Sequence, residues 1–205
     1  MYRTILTAFA ALIVVAFAAA ANAQTVTVQQ TQTGSTASIL DGFQTRGEAL
    51  LVPNGVTRLQ QFTVRLAGNV TPVVRAYDNT TKVMGAVLHT GAPRSGAAAD
   101  VVTVIPAGGV AVTPGSYIFI GATQNAAGQS GTIELRAGNP YQDGEAVDLR
   151  NGADAQLTGY DAYFFATFGP EATPVPTLSE WAMILFGLTL AGGAALYIQR
   201  RRLTA

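Results

Sequence analysis

The sequence contains no cysteine and only one histidine, His89, among its 205 residues. The absence of cysteine excludes disulfides, thiolate nucleophiles and cysteine-ligated metal centres, so the fold must be stabilised by a packed core. A single histidine gives little support for a Ser/His/Asp triad or for a histidine-rich metal site. His89 is interpreted as a residue at a strand end. We therefore expect no cofactor and no catalytic activity.

Positive charge is scarce in the middle of the chain. All 12 acidic residues fall between two hydrophobic ends, but only 8 of the 12 basic residues do, so this middle segment has a net charge of −4. A mildly acidic domain lacks the positive surface that phosphate binding requires, and no nucleic acid partner is expected. The middle segment is about 150 residues long, which is enough for a single domain with one core.

The N-terminus has the layout of a secretory signal peptide. Arg3 precedes an unbroken apolar run at residues 5–20, and Ala21-Asn22-Ala23 supplies the small-x-small cleavage pattern before Gln24. An uncleaved anchor is the alternative, but it needs no such pattern. We predict that residues 1–23 form a signal helix that signal peptidase removes, which leaves Gln24 as the first residue of the mature chain.

A second hydrophobic run, residues 181–198, has no charged side chain and is followed by Arg200, Arg201 and Arg202. As a helix it would reach about 27 Å, close to the thickness of a hydrocarbon core. The arginines form a stop-transfer cluster that the positive-inside rule assigns to the cytoplasm. We predict a transmembrane helix at 181–198 and a basic tail at 199–205, with the preceding domain outside the cytoplasm. A buried core helix is the alternative, which the length and the arginines disfavour.

The residues ahead of this run, together with the run and the arginines, resemble the IPTL-CTERM sorting signal, a relative of the PEP-CTERM signals. The motif residues are Val175, Pro176, Thr177, Leu178 and Trp181. Val175 replaces the usual isoleucine, and Ala182 replaces the usual glycine after the tryptophan. The resemblance implies recognition and cleavage of a signal at 175–205 by an exosortase-type membrane enzyme with a cysteine nucleophile. Because Pro176 disfavours helix at Val175, the linker at 169–174 is expected to be extended and accessible.

Between residues 24 and 168, short β-prone segments alternate with turn signals such as Pro53-Asn54-Gly55 and Pro114-Gly115. No helical period competes, so the pattern predicts an all-β domain, a single antiparallel β-sandwich. Strands are predicted at residues 25–30, 43–51, 56–66, 73–78, 83–88, 101–105, 116–122, 131–136 and 162–168. Residues 25–30 are apolar on one face, which indicates an edge strand, and 116–122 are apolar on both, which indicates a central strand.

The order of segments is also similar to a jelly-roll-like domain of exported bacterial proteins that carry such signals. The matching segments are residues 59–63, 74–78, 85–88, 110–117, the loop from 139 to 152, and 163–168. This resemblance implies a jelly-roll-like fold and no particular activity.

Three groups of residues are the remaining candidates for chemistry. The acidic residues of the stretch 143–161 are Asp143, Glu145, Asp148, Asp154 and Asp161. Their oxygens suit calcium, but their spacing matches no known calcium loop, so solvated turn residues are the favoured interpretation. Gly128-Gln129-Ser130-Gly131-Thr132 lacks the final glycine of a nucleophile elbow and is interpreted as a hairpin turn. Tyr77, Tyr141 and Tyr160 are either a sugar-binding platform or, the favoured reading, tyrosines that cap the core.

Together these patterns predict an exported bacterial cell-envelope protein. It is anchored in the inner membrane with its domain outside the cytoplasm, or passed to the outer surface or released after processing. Its non-catalytic sandwich would serve a structural, adhesive or extracellular-polysaccharide-associated role. A weak carbohydrate- or calcium-binding module and, less favoured, a carbohydrate-active enzyme are the alternatives. The expected partners are the membrane, signal peptidase, an exosortase-type enzyme and extracellular polysaccharide.

Overall fold

The structure is a computed structural model that describes residues 25–39, 44–106, 108–126, 128–150, 153–170 and 178–203. The predicted signal helix with Ala21, Ala23 and Gln24 lies outside these ranges, as do Val175, Pro176 and Thr177 of the predicted motif. The chain divides into two compact units, Met1–Glu171 and Ala172–Ala205. The first contains the strands and the second contains helix α1 (Leu178–Leu203).

Fourteen strands form within the described part of the first unit. They are β1 (Val26–Gln30), β2 (Ser35–Ile39), β3 (Thr45–Leu51), β4 (Arg58–Gly68), β5 (Val70–Asp78), β6 (Val83–Thr90), β7 (Ala99–Val104), β8 (Val110–Ala111), β9 (Tyr117–Gln124), β10 (Gly131–Ala137), β11 (Gly144–Arg150), β12 (Ala153–Gln156), β13 (Tyr160–Ala162) and β14 (Phe164–Gly169).

These strands form two antiparallel sheets, which confirms the predicted all-β sandwich. The first sheet has the order β1-β14-β4-β10-β13, with β2 paired to β10 and with β7 and β8 paired to β4. The second sheet has the order β12-β11-β3-β9-β5-β6. The chain passes repeatedly from one sheet to the other, so neighbours within a sheet are often distant in sequence. Strand β1 is an edge strand and β9 is central, both as predicted.

The main core lies between the two sheets. Phe62, Phe164 and Phe168 of the first sheet are fully buried against Leu50 and Ile120 of the second. Each large side chain removed from water in this way contributes roughly 1.5–3 kcal/mol before the entropy of ordering is subtracted. This layer of aromatic and aliphatic side chains is what holds a cysteine-free domain together.

The second sheet has another apolar cluster on its opposite face. Phe119 and Val147 are completely buried there, beside Tyr77 and Met84. The sheet curls around this cluster, because its two edge strands approach each other: the Met84 N–H donates to Asp154 Oδ2 at 2.6 Å. Gln156 of β12 likewise donates to the Tyr77 hydroxyl of β5 at 3.4 Å. Curling explains why the central strand β9 is apolar on both faces.

Five strands of the fold are missing from the sequence prediction: β2, β8, β11, β12 and β13. They are short or polar, and β11 and β12 occupy the stretch interpreted as solvated acidic turns. The interpretation of residues 128–132 as a hairpin turn is wrong. This segment connects β9 of the second sheet to β10 of the first, and Gly131 and Thr132 already belong to β10.

Candidate functional site

Helix α1 is 26 residues long, and its residues 181–198 carry no charged side chain. At 1.5 Å per residue it extends about 39 Å, longer than the roughly 30 Å of a hydrocarbon core. Its segment Met183–Arg202 has the length and the composition of a membrane span, and none of it is buried. Met183, Leu185 and Phe186 each expose more than 60% of their surface. An apolar helix of this length and composition is typical of a membrane span.

The helix begins at Leu178 and ends at Leu203, so it contains the predicted span at residues 181–198 and continues beyond it at both ends. At the start, Thr177-Leu178-Ser179-Glu180 has the T-x-x-E pattern of a capping box, which favours a helix from Leu178 onwards. At the end, Arg200, Arg201 and Arg202 occupy the last turn, where cations interact favourably with the helix dipole. Leu178 and Trp181 of the motif and the three basic residues are therefore helical.

Small residues give this helix an open stripe. Gly187, Ala191 and Ala195 follow each other at four-residue intervals, which places them on one side of the helix. A methyl group added at Gly187, Gly192 or Gly193 would meet nothing within 4 Å. At the cytoplasmic end predicted by sequence, the Arg201 guanidinium lies 5.6 Å from the centre of the Tyr197 ring. In membrane proteins, small residues in such a row let a second helix approach closely, and aromatic and basic side chains are common at the membrane–water interface.

The acidic residues of the stretch 143–161 do not form one site. Within the part of the chain that the structure describes, no three carboxylate or histidine side chains come together in a group that could hold a metal ion. Asp143 is exposed, Glu145 is half-buried on β11, and Asp154 accepts from Met84 at the closure of the curled sheet. The interpretation of these residues as solvated is wrong for Asp148 and Asp161, which are fully buried.

Asp148 belongs to a buried ion pair. Its two carboxylate oxygens accept from Arg46 Nε at 3.1 Å and from Arg46 Nη2 at 2.7 Å, so the guanidinium binds in a bidentate manner. Arg150 approaches the same carboxylate at 3.7 Å from the more exposed side. Neighbouring β3 and β11 bring the two side chains opposite each other. The pair lies on the face of the second sheet that points into the sandwich.

A second buried acidic pair, Glu48 and Asp161, was not anticipated from sequence. Glu48 Oε2 accepts from the Ala162 N–H at 2.9 Å, and Asp161 Oδ2 accepts from the Tyr141 N–H at 2.7 Å. Among the residues that the structure describes, the other oxygen of each carboxyl, Glu48 Oε1 and Asp161 Oδ1, has no hydrogen-bond partner. Burial, reinforced by the charge of Asp161, raises the pKa of Glu48 well above its usual value near 4.5. When Glu48 carries a proton, it can donate to the neighbouring Asp161 carboxyl.

The histidine and the tyrosines are dispersed. His89 lies next to the end of β6 and is half-buried, as the sequence interpretation placed it. Tyr77 is buried in the second apolar cluster, and Tyr141 packs edge-on against Phe164 with ring centres 5.2 Å apart. Tyr160 is exposed. The three tyrosines do not form a platform, and two of them pack against the core.

Comparison with known proteins matches one part of the chain to a family. Residues 173–202 match the family model described as the IPTL-CTERM motif. A comparison with curated proteins finds no match.

Two solved structures are similar to the β-domain. One is the clostridial cysteine protease Cwp84 after propeptide cleavage, with a TM-score of 0.53 and 11% identity over 72% of this chain and 40% of that one. The other contains the cysteine protease and lectin-like domains of Cwp84, a surface layer associated protein of Clostridium difficile. It has a TM-score of 0.46 and 10% identity over 69% of this chain and 37% of that one. At such identity the likeness concerns the fold alone, and this chain spans well under half of either protein. The chain thus carries an IPTL-CTERM motif at residues 173–202 behind a two-sheet antiparallel β-domain.

Proposed function

We propose that this chain is an exported cell-envelope protein that α1 holds in the inner membrane until a sorting enzyme acts on its C-terminal signal. The observation that carries the proposal is the coincidence, within residues 173–202, of the IPTL-CTERM match and an exposed apolar helix that ends in three arginines. Each feature alone is common. Their order along the chain is the order that a sorting signal requires.

The charges fix the orientation in this proposal. Arg200, Arg201 and Arg202 stay in the cytoplasm by the positive-inside rule, so the β-domain lies outside it. The signal peptide at residues 1–23 supplies the route by which the β-domain is exported.

Two processing partners follow. Signal peptidase cuts after Ala23, and an exosortase-type enzyme recognises Pro176, Thr177, Leu178 and Trp181. Because proteases bind extended chain and α1 begins at Leu178, cleavage is expected ahead of Leu178 and not within the helix. Cleavage there would release the β-domain from the membrane or pass it to the outer surface.

We infer a non-catalytic role for the β-domain, structural, adhesive or associated with extracellular polysaccharide. Its buried carboxylates have structural partners: Asp148 pairs with Arg46, and Glu48 and Asp161 lie together against backbone N–H groups. None of these three carboxylates reaches the surface, where a substrate would have to bind. This arrangement supports a stable scaffold rather than a hydrolase.

The absence of native cysteine makes the proposed orientation directly measurable. Thr158→Cys places a thiol at an exposed position of the β-domain, and Ala205→Cys places one after the arginines. The full chain is expressed in a bacterial host that lacks the sorting enzyme, so that the signal remains attached. A membrane-impermeant maleimide should label the Thr158→Cys variant in intact spheroplasts and the Ala205→Cys variant only after lysis.

The parent chain, which has no thiol, is the control for nonspecific labelling. Labelling of the Ala205→Cys variant in intact spheroplasts would contradict the orientation. Recovery of the full chain in the soluble fraction would contradict the membrane anchor itself.

A further inference from the structure

A polar pocket opens on the curled second sheet. Its volume is about 110 Å³. The residues that line it are Ala49, Asn79, Lys82, Tyr117, Gln142, Gly144 and Glu145. They come from strands β3, β9 and β11, from the turn between β5 and β6, and from the turn before β11. The pocket is therefore built by the rigid sheet on one side and by two tight turns on the other.

The lining combines donors and acceptors of several kinds. Lys82 supplies an ammonium group and Glu145 a carboxylate, while Asn79 and Gln142 each supply an amide that both donates and accepts. Lys82 Nζ donates to Asn79 Oδ1 at 2.7 Å, which holds the ammonium at the pocket. Ala49 is almost completely buried and contributes apolar surface from the second cluster. One cation and one anion leave the pocket without net charge.

The backbone at Lys82 is strained. Its φ of 60° is in the left-handed region, where a residue other than glycine, asparagine or aspartate is uncommon. The turn at residues 79–82 would be easier to form with glycine at this position. Strain of this kind persists where the surrounding structure imposes it, and it occurs preferentially at ligand sites. The turn itself does not need lysine at position 82, which indicates a role for the lysine side chain in the pocket.

We propose that this pocket binds one sugar ring of a neutral polysaccharide. Several hydroxyl groups on a ring need closely spaced donors and acceptors, which Lys82, Glu145 and the two amides supply, and Tyr117 adds an aromatic side chain to the wall. The small, open pocket can receive one edge of a ring and not a longer segment, and the balanced charge favours an uncharged sugar. This inference rests on the polysaccharide-associated role in the proposed function and names the kind of ligand. The proposed membrane anchor and sorting signal require no sugar and would stand without it.

The test uses the full chain in a zwitterionic detergent without a sugar headgroup. Saturation-transfer NMR is recorded with the methyl pyranosides of glucose, galactose, mannose and N-acetylglucosamine as probes. At least one of them should receive saturation from the protein. Glu145→Gln should weaken that binding about tenfold, the effect of losing a hydrogen bond to a charged group.

Lys82→Gly separates the ligand role from folding. Glycine relieves the strained φ, so this variant should unfold at a temperature no lower than the parent chain, yet bind the sugar about tenfold more weakly. Arg65→Gln is the matched control, because Arg65 is a charged side chain on the first sheet, outside the pocket, and should leave binding unchanged. The proposal is wrong if no pyranoside receives saturation, or if both pocket variants bind as tightly as the parent. Membrane labelling as described above is unaffected by either result.

Discussion

At the scale of single residues, the charges in β3 dominate the chemistry of the interior. Arg46, Glu48 and Leu50 alternate along the strand and all point into the sandwich. Alternating charged residues in a strand ordinarily indicate a solvent-exposed face. Here they are buried because their partners come from distant positions: Asp148 lies on β11 and Asp161 on β13. Such pairings cannot be read from spacing in the sequence.

The Glu48–Asp161 pair makes the stability of the domain depend on pH. A carboxyl whose pKa is raised in the folded chain takes up a proton on folding. Its contribution to stability is therefore fully present when the pH is below its pKa in the unfolded chain, near 4.5. That contribution is lost as the pH rises from 4.5 through the pKa of the folded chain. Glu48→Gln should therefore increase the unfolding free energy at pH 7, by about 1.4 kcal/mol for each pH unit from 4.5 up to the folded pKa, and no further than pH 7.

Urea unfolding of the full chain at several pH values measures this effect. The parent chain should lose stability from pH 5 to pH 8, and the variant should lose less. The loss that remains in the variant is due to Asp161, whose pKa is also raised by burial. If Glu48→Gln destabilises the chain at pH 7 and leaves its pH dependence unaltered, the shared proton is not present.

At the Arg46–Asp148 pair, a small change of side chain is expected to cause a large loss of stability. Asp148→Asn keeps the shape of the side chain but leaves the Arg46 guanidinium buried without its counter-charge. The expected cost is about 3–5 kcal/mol of unfolding free energy. The double variant Arg46→Met, Asp148→Leu should recover most of this loss. A cost of Asp148→Asn below about 1 kcal/mol would show that the pair is solvated rather than buried.

At the scale of elements, the sequence predicted the apolar strands and missed the polar ones. Nine strands follow from β-prone runs between turn signals, and the central position of β9 follows from its two apolar faces. The strands β11 and β12 were missed because acidic residues interrupt their pattern, and the curl of the second sheet has no local signal. The sequence feature that comes closest to a signal for this curl is the glycine pair Gly47 and Gly121. The two residues lie directly opposite each other on β3 and β9.

These glycines allow Phe119 to lie flat within the curl. A methyl group added at Gly121 would lie 2.7 Å from both Gly47 Cα and Phe119 Cζ. Gly121→Ala should therefore lower the unfolding free energy by about 1–3 kcal/mol, the usual cost of overpacking a core. Thr158→Ala, at an exposed position, is the control and should change the stability little. Unchanged urea midpoints for Gly121→Ala would argue against the close approach of the two strands.

At the scale of the whole molecule, the two ends of the sequence are more informative than its middle. The span, the basic cluster and the motif could be predicted because membrane insertion and sorting depend on short, contiguous patterns. The pocket could not be predicted, because Ala49, Lys82 and Glu145 meet only through the pairing of distant strands and the curl of their sheet.

The basic cluster predicts the orientation of the anchor. Replacing Arg200, Arg201 and Arg202 with glutamine removes the bias that retains the C-terminus in the cytoplasm. In the Ala205→Cys background, the fraction of chains labelled in intact spheroplasts should rise. Replacing Arg65, Arg94 and Arg136 of the β-domain with glutamine removes the same charge elsewhere and should have no such effect. Equal labelling of the two triple variants would mean that the arginines do not set the orientation.

Intact-mass spectrometry of the mature protein tests the central claim most directly. The protein is purified from its native host and from a strain that lacks the sorting enzyme. The chain should begin at Gln24 in both, and it should lose α1 in the first strain and retain it in the second. Retention of α1 in both strains, or an intact Met1 in the envelope fraction, would contradict the account.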